Sequence, residues 1–461
     1  SGQNTGISLS SNVSGTTFAW TVAQSAGITG ASASSGATIA QTLSNSGTSA
    51  GTATYTITPT ANSCSGSSAT VVITVNPTPA VIATPASQSI CGGTAPSISL
   101  TSGVAGASFA WTVTQSGVTG ASASSGATIA QTLSNSGTSN GTATYSLTAT
   151  ANGCSGSSSN VIITVKPLPV VTANPASQIL CNAGTSSIAL SSGVSGTSFA
   201  WTVTQSGVTG ASASSGATIA QTLSNAGTSA GTATYSVTGT ANSCSGTPTN
   251  VVVTVNPTPN VSASPASQTL CNGGTTSIAL SSDVSGTSFS WTVAQSGVTG
   301  ASASSGATIA QTLTNSGTSA GTATYTITPS ANSCTGSTTT VTITVNPTPS
   351  VTASPTLQTI CSGGISNIAL SSSVSGTTFA WTVVQSGVTG ASASSGATIA
   401  QTLTNAGTSA GTATYTVTPT ANGCPGSTTT VTITVNPTPN VSASPASQTI
   451  CSGQNTGISL S

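Results

Sequence analysis

Apolar residues alternate with Ser, Thr or Ala over short stretches that recur along the whole chain. Within residues 80–169 the alternating apolar residues are Ile98 and Leu100, then Phe109, Trp111 and Val113, then Ala143, Tyr145 and Leu147, and finally Val161, Ile163 and Val165. This period of two is typical of strands that bury one face, and the Gly, Ser and Asn clusters between the stretches are typical of turns. The pattern predicts an all-β fold with the aromatic residues in its core.

The segment around Ile129 and Leu133 is ambiguous, because a spacing of four also fits one turn of a helix. The flanking Ala-Thr and Gln-Thr residues do not settle the choice. We predict a strand here because the neighbouring segments are strands.

The alternating pattern repeats about every 90 residues. The recurring residues are Cys64, Cys154, Cys244, Cys334 and Cys424, then Cys91, Cys181, Cys271, Cys361 and Cys451, and then Trp111, Trp201, Trp291 and Trp381. A unit of this length is too long for the common helical solenoid repeats and suits an immunoglobulin-sized sandwich of about 100 residues. The sequence therefore predicts a tandem array of immunoglobulin-like β-sandwich domains.

A Pro-x-Pro motif ends each unit, as at Pro77–Pro79 and Pro167–Pro169. We divide the chain into residues 1–79 (repeat 1, without its first strand), 80–169 (repeat 2), 170–259 (repeat 3), 260–349 (repeat 4), 350–439 (repeat 5) and 440–461 (the start of repeat 6). Proline fixes φ and cannot donate to a sheet, so the motif predicts an extended, stiff joint. The alternative is that the prolines only end strands. Residues 1–10 are identical to residues 452–461, which predicts a window from a longer periodic polypeptide.

Charge is almost absent: the chain has one lysine (Lys166), one aspartate (Asp283) and no histidine. General acid–base catalysis, Ser–His–Asp and Cys–His nucleophiles and carboxylate metal sites all need side chains that the chain lacks. We therefore predict no catalytic, cofactor-binding or metal-binding residues, and no enzymatic activity. One lysine cannot neutralise the phosphates of a nucleic acid, and no apolar run approaches the length of a membrane span.

Two widely separated cysteines per unit, without CxxC or histidine, favour disulfides in an oxidising compartment over a metal site. Cys91 lies near the loop before the second strand, and Cys154 lies in the loop before the last strand. We expect these two loops at the same end of a sandwich. Pairing Cys64 with Cys91 instead would join the same end of two successive domains, and these ends are about 35–40 Å apart. The Cα atoms of bonded cysteines lie within about 7 Å of each other. The predicted disulfides are Cys91–Cys154, Cys181–Cys244, Cys271–Cys334 and Cys361–Cys424, which leaves Cys64 and Cys451 unpaired.

Each unit reads Cys-x-Gly, Ile-x-Leu, Phe-x-Trp, a Gly-rich stretch, Ile-Ala-Gln-Thr-Leu, Tyr, Cys-x-Gly and a strand ending in Pro-x-Pro. This order resembles the PKD-like, immunoglobulin-type domains found in tandem in large surface proteins of Bacteroidota, including gliding-motility adhesins. The resemblance covers the whole chain. It implies export to the cell surface by the type IX secretion route, and it implies no catalytic residues.

An uncharged surface of Ser, Thr, Gly and Asn lacks the repulsion that keeps proteins apart. Near-identical units present equal surfaces at equal spacing, and residues 120–133 recur unchanged at 210–223. These features predict the structural repeat region of a long extracellular surface protein that self-associates and forms or packs into a cell-surface filament. Recent duplication without any interface explains the same near-identity.

Two other functions stay open. The repeats can serve as a passive stalk that presents a distal adhesive tip. They can also bind a surface, a glycan or ice directly, for which Thr52, Thr54 and Thr56 provide a row on one strand face. Threonine is a common outward residue of strands, so such a row does not by itself indicate a ligand.

Overall fold

The computed structural model describes residues 1–461 and contains strands but no helix. The all-β fold class predicted from the alternating pattern is confirmed. The chain forms two compact units, which are Ser1–Leu180 with Gly184–Ser224 and Thr232–Thr254, and Cys181–Ala183 with Asn225–Gly231 and Val255–Ser461. Repeats 1 and 2 lie in the first unit, repeats 4 and 5 lie in the second, and repeat 3 is divided between them.

Repeat 4 shows the architecture. Its strands are β1 (Ser262–Ser264), β2 (Ser267–Cys271), β3 (Ile278–Ser281), β4 (Ser288–Ser296), β5 (Ser304–Ser305), β6 (Thr308–Ile309), β7 (Gly321–Ala331), β8 (Cys334–Thr335) and β9 (Thr339–Asn346). One sheet has the order β2-β9-β7-β4-β5, with β8 also paired to β7, and the other has the order β1-β3-β6. The labels β1 to β9 denote the equivalent strands of every repeat.

The other repeats contain the same strands within a residue or two. In repeat 2 they are Ile82–Thr84, Ser87–Cys91, Ile98–Thr101, Ser108–Ser116, Ser124–Ser125, Thr128–Ile129, Gly141–Ala151, Cys154–Ser155 and Ser159–Lys166. In repeat 3 they are Thr172–Asn174, Ser177–Cys181, Ile188–Ser191, Ser198–Ser206, Ser214–Ser215, Thr218–Ile219, Gly231–Ala241, Cys244–Ser245 and Thr249–Asn256. In repeat 5 they are Thr352–Ser354, Leu357–Cys361, Ile368–Ser371, Thr378–Ser386, Ser394–Ser395, Thr398–Ile399, Gly411–Ala421, Cys424–Pro425 and Thr429–Asn436.

Repeat 1 has no β1 or β2. Its strands β3 to β9 are Ile7–Ser8, Thr17–Gln24, Ser34–Ser35, Thr38–Ile39, Gly51–Ala61, Cys64–Ser65 and Ala69–Val75. Short additional strands are Gln3–Asn4, Ile28–Thr29 and Thr42–Asn45 in repeat 1, Gly184–Thr185 and Thr222–Leu223 in repeat 3, Gly364–Ile365 and Thr402–Leu403 in repeat 5, and Ala443–Ser444 and Ser459–Leu460 near the C-terminus.

The core of repeat 4 lies between its two sheets. Alternate residues of β4 and β7 point inward, so that Trp291 is 5% exposed and Tyr325 is fully buried. Ile278 of β3 and Ile309 of β6 join the same cluster from the other sheet. The prediction that the aromatic residues form the core is confirmed. In repeat 2, Ile129 belongs to β6 and Leu133 forms a β-bridge with Thr94, so the ambiguous segment is extended as predicted.

A hydrogen-bond network around the buried tyrosine explains the Gln of the Ile-Ala-Gln-Thr-Leu motif. The Tyr325 hydroxyl donates to Gln311 Oε1 at 2.8 Å, and Gln311 Nε2 donates to the Ser302 carbonyl at 2.9 Å. The indole Nε1 of Trp291 donates to the same carbonyl at 3.3 Å. Gln311 therefore gives the buried tyrosine a partner that an apolar residue could not provide.

We expect stability to be lost only at alkaline pH. Burial raises the pKa of the Tyr325 phenol, and raises the pKa of Tyr415 to about 12. Because these values lie above the unfolded value of about 10, the stabilisation is complete below pH 10 and is lost as the pH rises toward 12. With one carboxylate side chain and one lysine, the free energy of unfolding should be flat between roughly pH 5 and 9. Urea unfolding followed by tryptophan fluorescence after brief pH jumps measures this, and a marked loss below pH 6 would contradict it.

The direction of β2 shows why the within-repeat disulfides were predicted wrongly. In repeat 4, β2 pairs in parallel with β9, which places Cys271 opposite Asn346 at the end of β9. Cys334 precedes the start of β9 at Thr339, so the two cysteines lie at opposite ends of a strand about 26 Å long. The same pairing places Cys91 opposite Lys166 in repeat 2 and far from Cys154. The predicted pairs Cys91–Cys154, Cys181–Cys244, Cys271–Cys334 and Cys361–Cys424 are therefore absent.

Candidate functional site

The disulfides of this chain lie at the junctions between repeats. They are Cys91–Cys244, Cys181–Cys334 and Cys271–Cys424, each with a sequence separation of 153. In every case the last residue of β2 in one repeat is bonded to the first residue of β8 in the next. The Cα atoms are 5.6 Å apart in all three, which is the usual distance for a disulfide. Repeats 2 and 3, repeats 3 and 4, and repeats 4 and 5 are thus each joined by a disulfide in addition to the linker.

Four cysteines are unpaired, and two of these were predicted to be bonded. Cys154 is half-buried, while Cys361 is exposed, as are Cys64 and Cys451. At a separation of 153 the partner position of Cys154 is Ser1, and the partner positions of Cys64, Cys361 and Cys451 lie outside residues 1–461.

A two-residue turn between β7 and β8 positions the second cysteine of each bond. Asn332 and Ser333 both have positive φ, at 50° and 64°, which is the backbone of a type I′ hairpin turn and suits Asn at its first position. The turn directs the Asn332 carbonyl toward the preceding repeat, where it accepts a hydrogen bond from Asn256 Nδ2 at 3.3 Å. Cys334 follows immediately, so the turn holds it at the junction.

The same turn contact occurs at other junctions with one change of donor. Asn76 Nδ2 donates to the Asn152 carbonyl at 3.2 Å, and Lys166 Nζ donates to the Asn242 carbonyl at 3.1 Å. The single lysine of the chain therefore takes the structural place of an asparagine.

The glycine of the second Cys-x-Gly motif lies against the linker. A Cβ atom added to Gly336 would lie 1.8 Å from the Pro259 carbonyl oxygen, and the corresponding distance from Gly246 to the Pro169 oxygen is also 1.8 Å. Gly426 stands in the same relation to Pro349. Only glycine allows this approach between the start of β9 and the Pro-x-Pro segment.

We expect Gly336→Val to open the junction between repeats 3 and 4. The side chain would force the Cys-x-Gly segment away from Pro259, at a cost of about 1–3 kcal/mol. The rate at which a small thiol reduces Cys181–Cys334 should then rise by roughly 5- to 150-fold. The exposed neighbour gives the control, since Thr335→Ala should leave the rate unchanged. Equal rates for the two variants would contradict the packing described for Gly336.

A shallow cavity of about 430 Å³ lies at the junction of repeats 2 and 3. Leu168 and Val170 form its apolar part, and Asn135, Thr138 and Gly193 lie on its sides. None of its lining residues is charged, so it offers no acid, base or electrophile. No group of three or more His, Cys, Asp or Glu side chains could hold a metal ion. No helix in the structure has the length and apolarity needed to cross a membrane.

Comparison with solved structures gives matches of low identity and low TM-score. The structures found to be similar include the protocadherin GammaB4 extracellular domain (11% identity, TM-score 0.28, covering 92% of this chain and 77% of that one). They also include the N-terminal eight Ig domains of Down syndrome cell adhesion molecule (12% identity, TM-score 0.30, covering 84% of this chain and 53% of that one). Sidekick-1 immunoglobulin domains 1–5 are a third example (10% identity, TM-score 0.24, covering 95% of each chain). No curated protein matches.

The family comparison is specific and covers nearly the whole chain. A model of the PKD-like domain matches residues 1–79, 88–169, 178–259, 268–349 and 358–439. These five stretches contain strands β3 to β9 of each repeat and the bonded cysteines, while β1 of repeats 2 to 5 lies outside them. The chain belongs to the PKD-like domain family and carries five such domains in tandem.

Proposed function

We propose that the chain is the structural repeat region of a long extracellular surface protein that forms or packs into a cell-surface filament. The observation that carries this proposal is the disulfide at each of three successive repeat junctions. Such bonds persist in oxidising compartments outside the cytosol. A covalent bond between neighbouring domains limits their movement, which suits a protein whose task is to hold its shape. The resemblance to Bacteroidota surface proteins, including gliding-motility adhesins, supports the same location and export by the type IX route.

Lateral packing has a candidate surface, the outer face of the larger sheet. In repeat 4 its central strands carry Thr322, Thr324, Thr326 and Thr328 on β7 and Thr340, Thr342 and Thr344 on β9. The Thr324 and Thr342 hydroxyls are 3.5 Å apart across the strands. Repeat 5 presents the same rows of threonines at Thr412–Thr418 and Thr430–Thr434. A second copy of the chain can pack on this face without burying any charge.

Charged residues on this face should prevent assembly if it is the packing surface. We expect the double variant Thr324→Lys and Thr414→Lys to keep chains separate, because like charges would then face each other across the interface. The control is Ala279→Lys with Ala369→Lys, at exposed positions of β3 on the smaller sheet. Electron micrographs of the wild type and both variants at equal concentration give the readout.

The alternatives are distinguished by the same images. Bundled filaments for the wild type and the control, and single chains for the threonine variant, are the expected result. Single thin chains for the wild type at all concentrations would contradict the filament and favour the passive stalk. Direct glycan binding has less support, because the Trp residues that could stack on sugars are about 5% exposed in each repeat.

A further inference from the structure

We propose that the disulfides convert the repeats into a tension-carrying cable with two covalent paths, made of segments that run from β8 and β9 of one repeat through the linker to β1 and β2 of the next. Strands β3 to β7 of repeats 2 to 5 then bear no tension, because they lie on neither path. This inference rests on the proposed structural role, since a surface filament is a setting in which tension arises. It follows from which cysteines are bonded and from the direction of the strands between them.

The first path crosses from repeat 2 to repeat 5. It runs from Cys91 through its disulfide to Cys244, along the backbone to Cys271, and through a second disulfide to Cys424. Cys271 follows Cys244 by only 27 positions (271 − 244). That segment consists of β8 and β9 of repeat 3, the Pro257–Pro259 linker, and β1 and β2 of repeat 4.

The second path consists of the equivalent strands and linkers, shifted by one repeat along the chain. It runs along the backbone from Cys154 to Cys181, through a disulfide to Cys334, and along the backbone to Cys361. Both backbone segments again span 27 positions (181 − 154 and 361 − 334). The segment after Cys334 contains β9 of repeat 4, the next Pro-x-Pro linker, and β2 of repeat 5.

The two paths lie side by side within repeat 4. Strand β2, which belongs to the first path, pairs in parallel with β9, which belongs to the second, from Ser267 opposite Thr342 to Cys271 opposite Asn346. Strands β2 and β9 pair in the same way in repeats 2 and 5. Tension applied along the chain is therefore shared by two neighbouring strands that point in the same direction and are joined by a ladder of hydrogen bonds.

With its disulfides formed, the chain can lengthen very little between Cys91 and Cys424 when it is stretched. The 27 residues between Cys244 and Cys271 span at most about 95 Å when fully extended. Two disulfides with Cα–Cα distances of 5.6 Å bring the path from Cys91 to Cys424 to roughly 105 Å. Without disulfides the 333 positions (424 − 91) could extend to roughly 1,200 Å. Residues 272–333, which contain β3 to β7 of repeat 4, lie on neither path, so their unfolding adds no length.

Single-molecule stretching of the whole chain through tags at its two termini tests this. Under oxidising conditions we expect one full-repeat unfolding step, from repeat 1, because its residues precede Cys91 and are not bypassed. After reduction we expect about five such steps and a roughly tenfold greater extension between Cys91 and Cys424. Full-repeat steps from repeats 2 to 4 in the oxidised chain would overturn the proposal.

Single cysteine variants sharpen the test. Cys271→Ser interrupts the first path and leaves a shortest connection through Cys181–Cys334, so the oxidised chain should lengthen by about 400 Å. Cys361→Ser removes an unpaired cysteine at the equivalent position one repeat later, and should behave as the wild type. Equal extension of the two oxidised variants would overturn the cable. Filament formation is measured separately in micrographs, so the stretching result and the filament result can each fail without the other.

Discussion

A protease site inserted between Pro265 and Ala266 should leave the cut chain in one covalent piece until a reductant is added. The two residues form the exposed turn between β1 and β2 of repeat 4. A cut there separates Cys244 from Cys271, but Cys181–Cys334 still joins the two parts. Within-repeat disulfides could not produce this result, because neither a Cys181–Cys244 nor a Cys271–Cys334 bond would span the cut.

The matched control is the same insertion between Pro85 and Ala86, the equivalent turn of repeat 2. No disulfide spans that position, since Cys91 is the first bonded cysteine of the chain. Denaturing electrophoresis without reductant should therefore show two fragments for the control and one band of full-length mass for the repeat 4 insertion. Two fragments from both insertions would contradict the bonds between repeats.

Trp291→Ala should unfold repeat 4 locally while leaving the other repeats folded. The indole is 5% exposed and packs in the core of repeat 4, so its removal leaves a large cavity there. A loss of about 3–5 kcal/mol is usual for such a truncation. Hydrogen exchange of repeat 4 amides in β4 and β7 should accelerate by roughly 100- to 3,000-fold.

The neighbouring residue provides the control. Thr292 lies on the opposite face of β4 and is exposed, so Thr292→Ala should leave the exchange rates within a few-fold of the wild type. Exchange measured by mass spectrometry on the intact oxidised chain separates repeat 4 from repeat 2. Uniform acceleration in all repeats would contradict their separate cores.

The sequence was sufficient for the fold because its signals are local. The alternation of Phe289, Trp291 and Val293 indicates which face of the strand is buried, and it does so independently of the neighbouring strand. The regular spacing of the cysteines indicates the length of the repeat. Both signals are read within a few residues or at one fixed interval, and both agree with the structure.

The disulfide pairing depends on a long-range property that local signals do not contain. Whether Cys271 lies near Cys334 or near Cys424 is decided by the direction in which β2 pairs with β9, and both pairings are compatible with the same 90-residue period. The assumption that the loops after β2 and before β9 share an end was wrong, because parallel strands begin at the same end. The Gly of Cys-x-Gly was visible as a motif, but its reason lies in the contact of Gly336 with Pro259 of the preceding repeat.

Peptide mapping without reduction tests the central claim most directly. The residues around the cysteines differ enough to identify each peptide: Cys91 is followed by Gly92, Cys244 by Ser-Gly-Thr, and Cys154 by Ser-Gly-Ser. Digestion of the oxidised chain with proteases of broad specificity should yield Cys91 bound to Cys244 and Cys271 bound to Cys424. Recovery of Cys91 bound to Cys154, or of Cys271 bound to Cys334, would contradict the account.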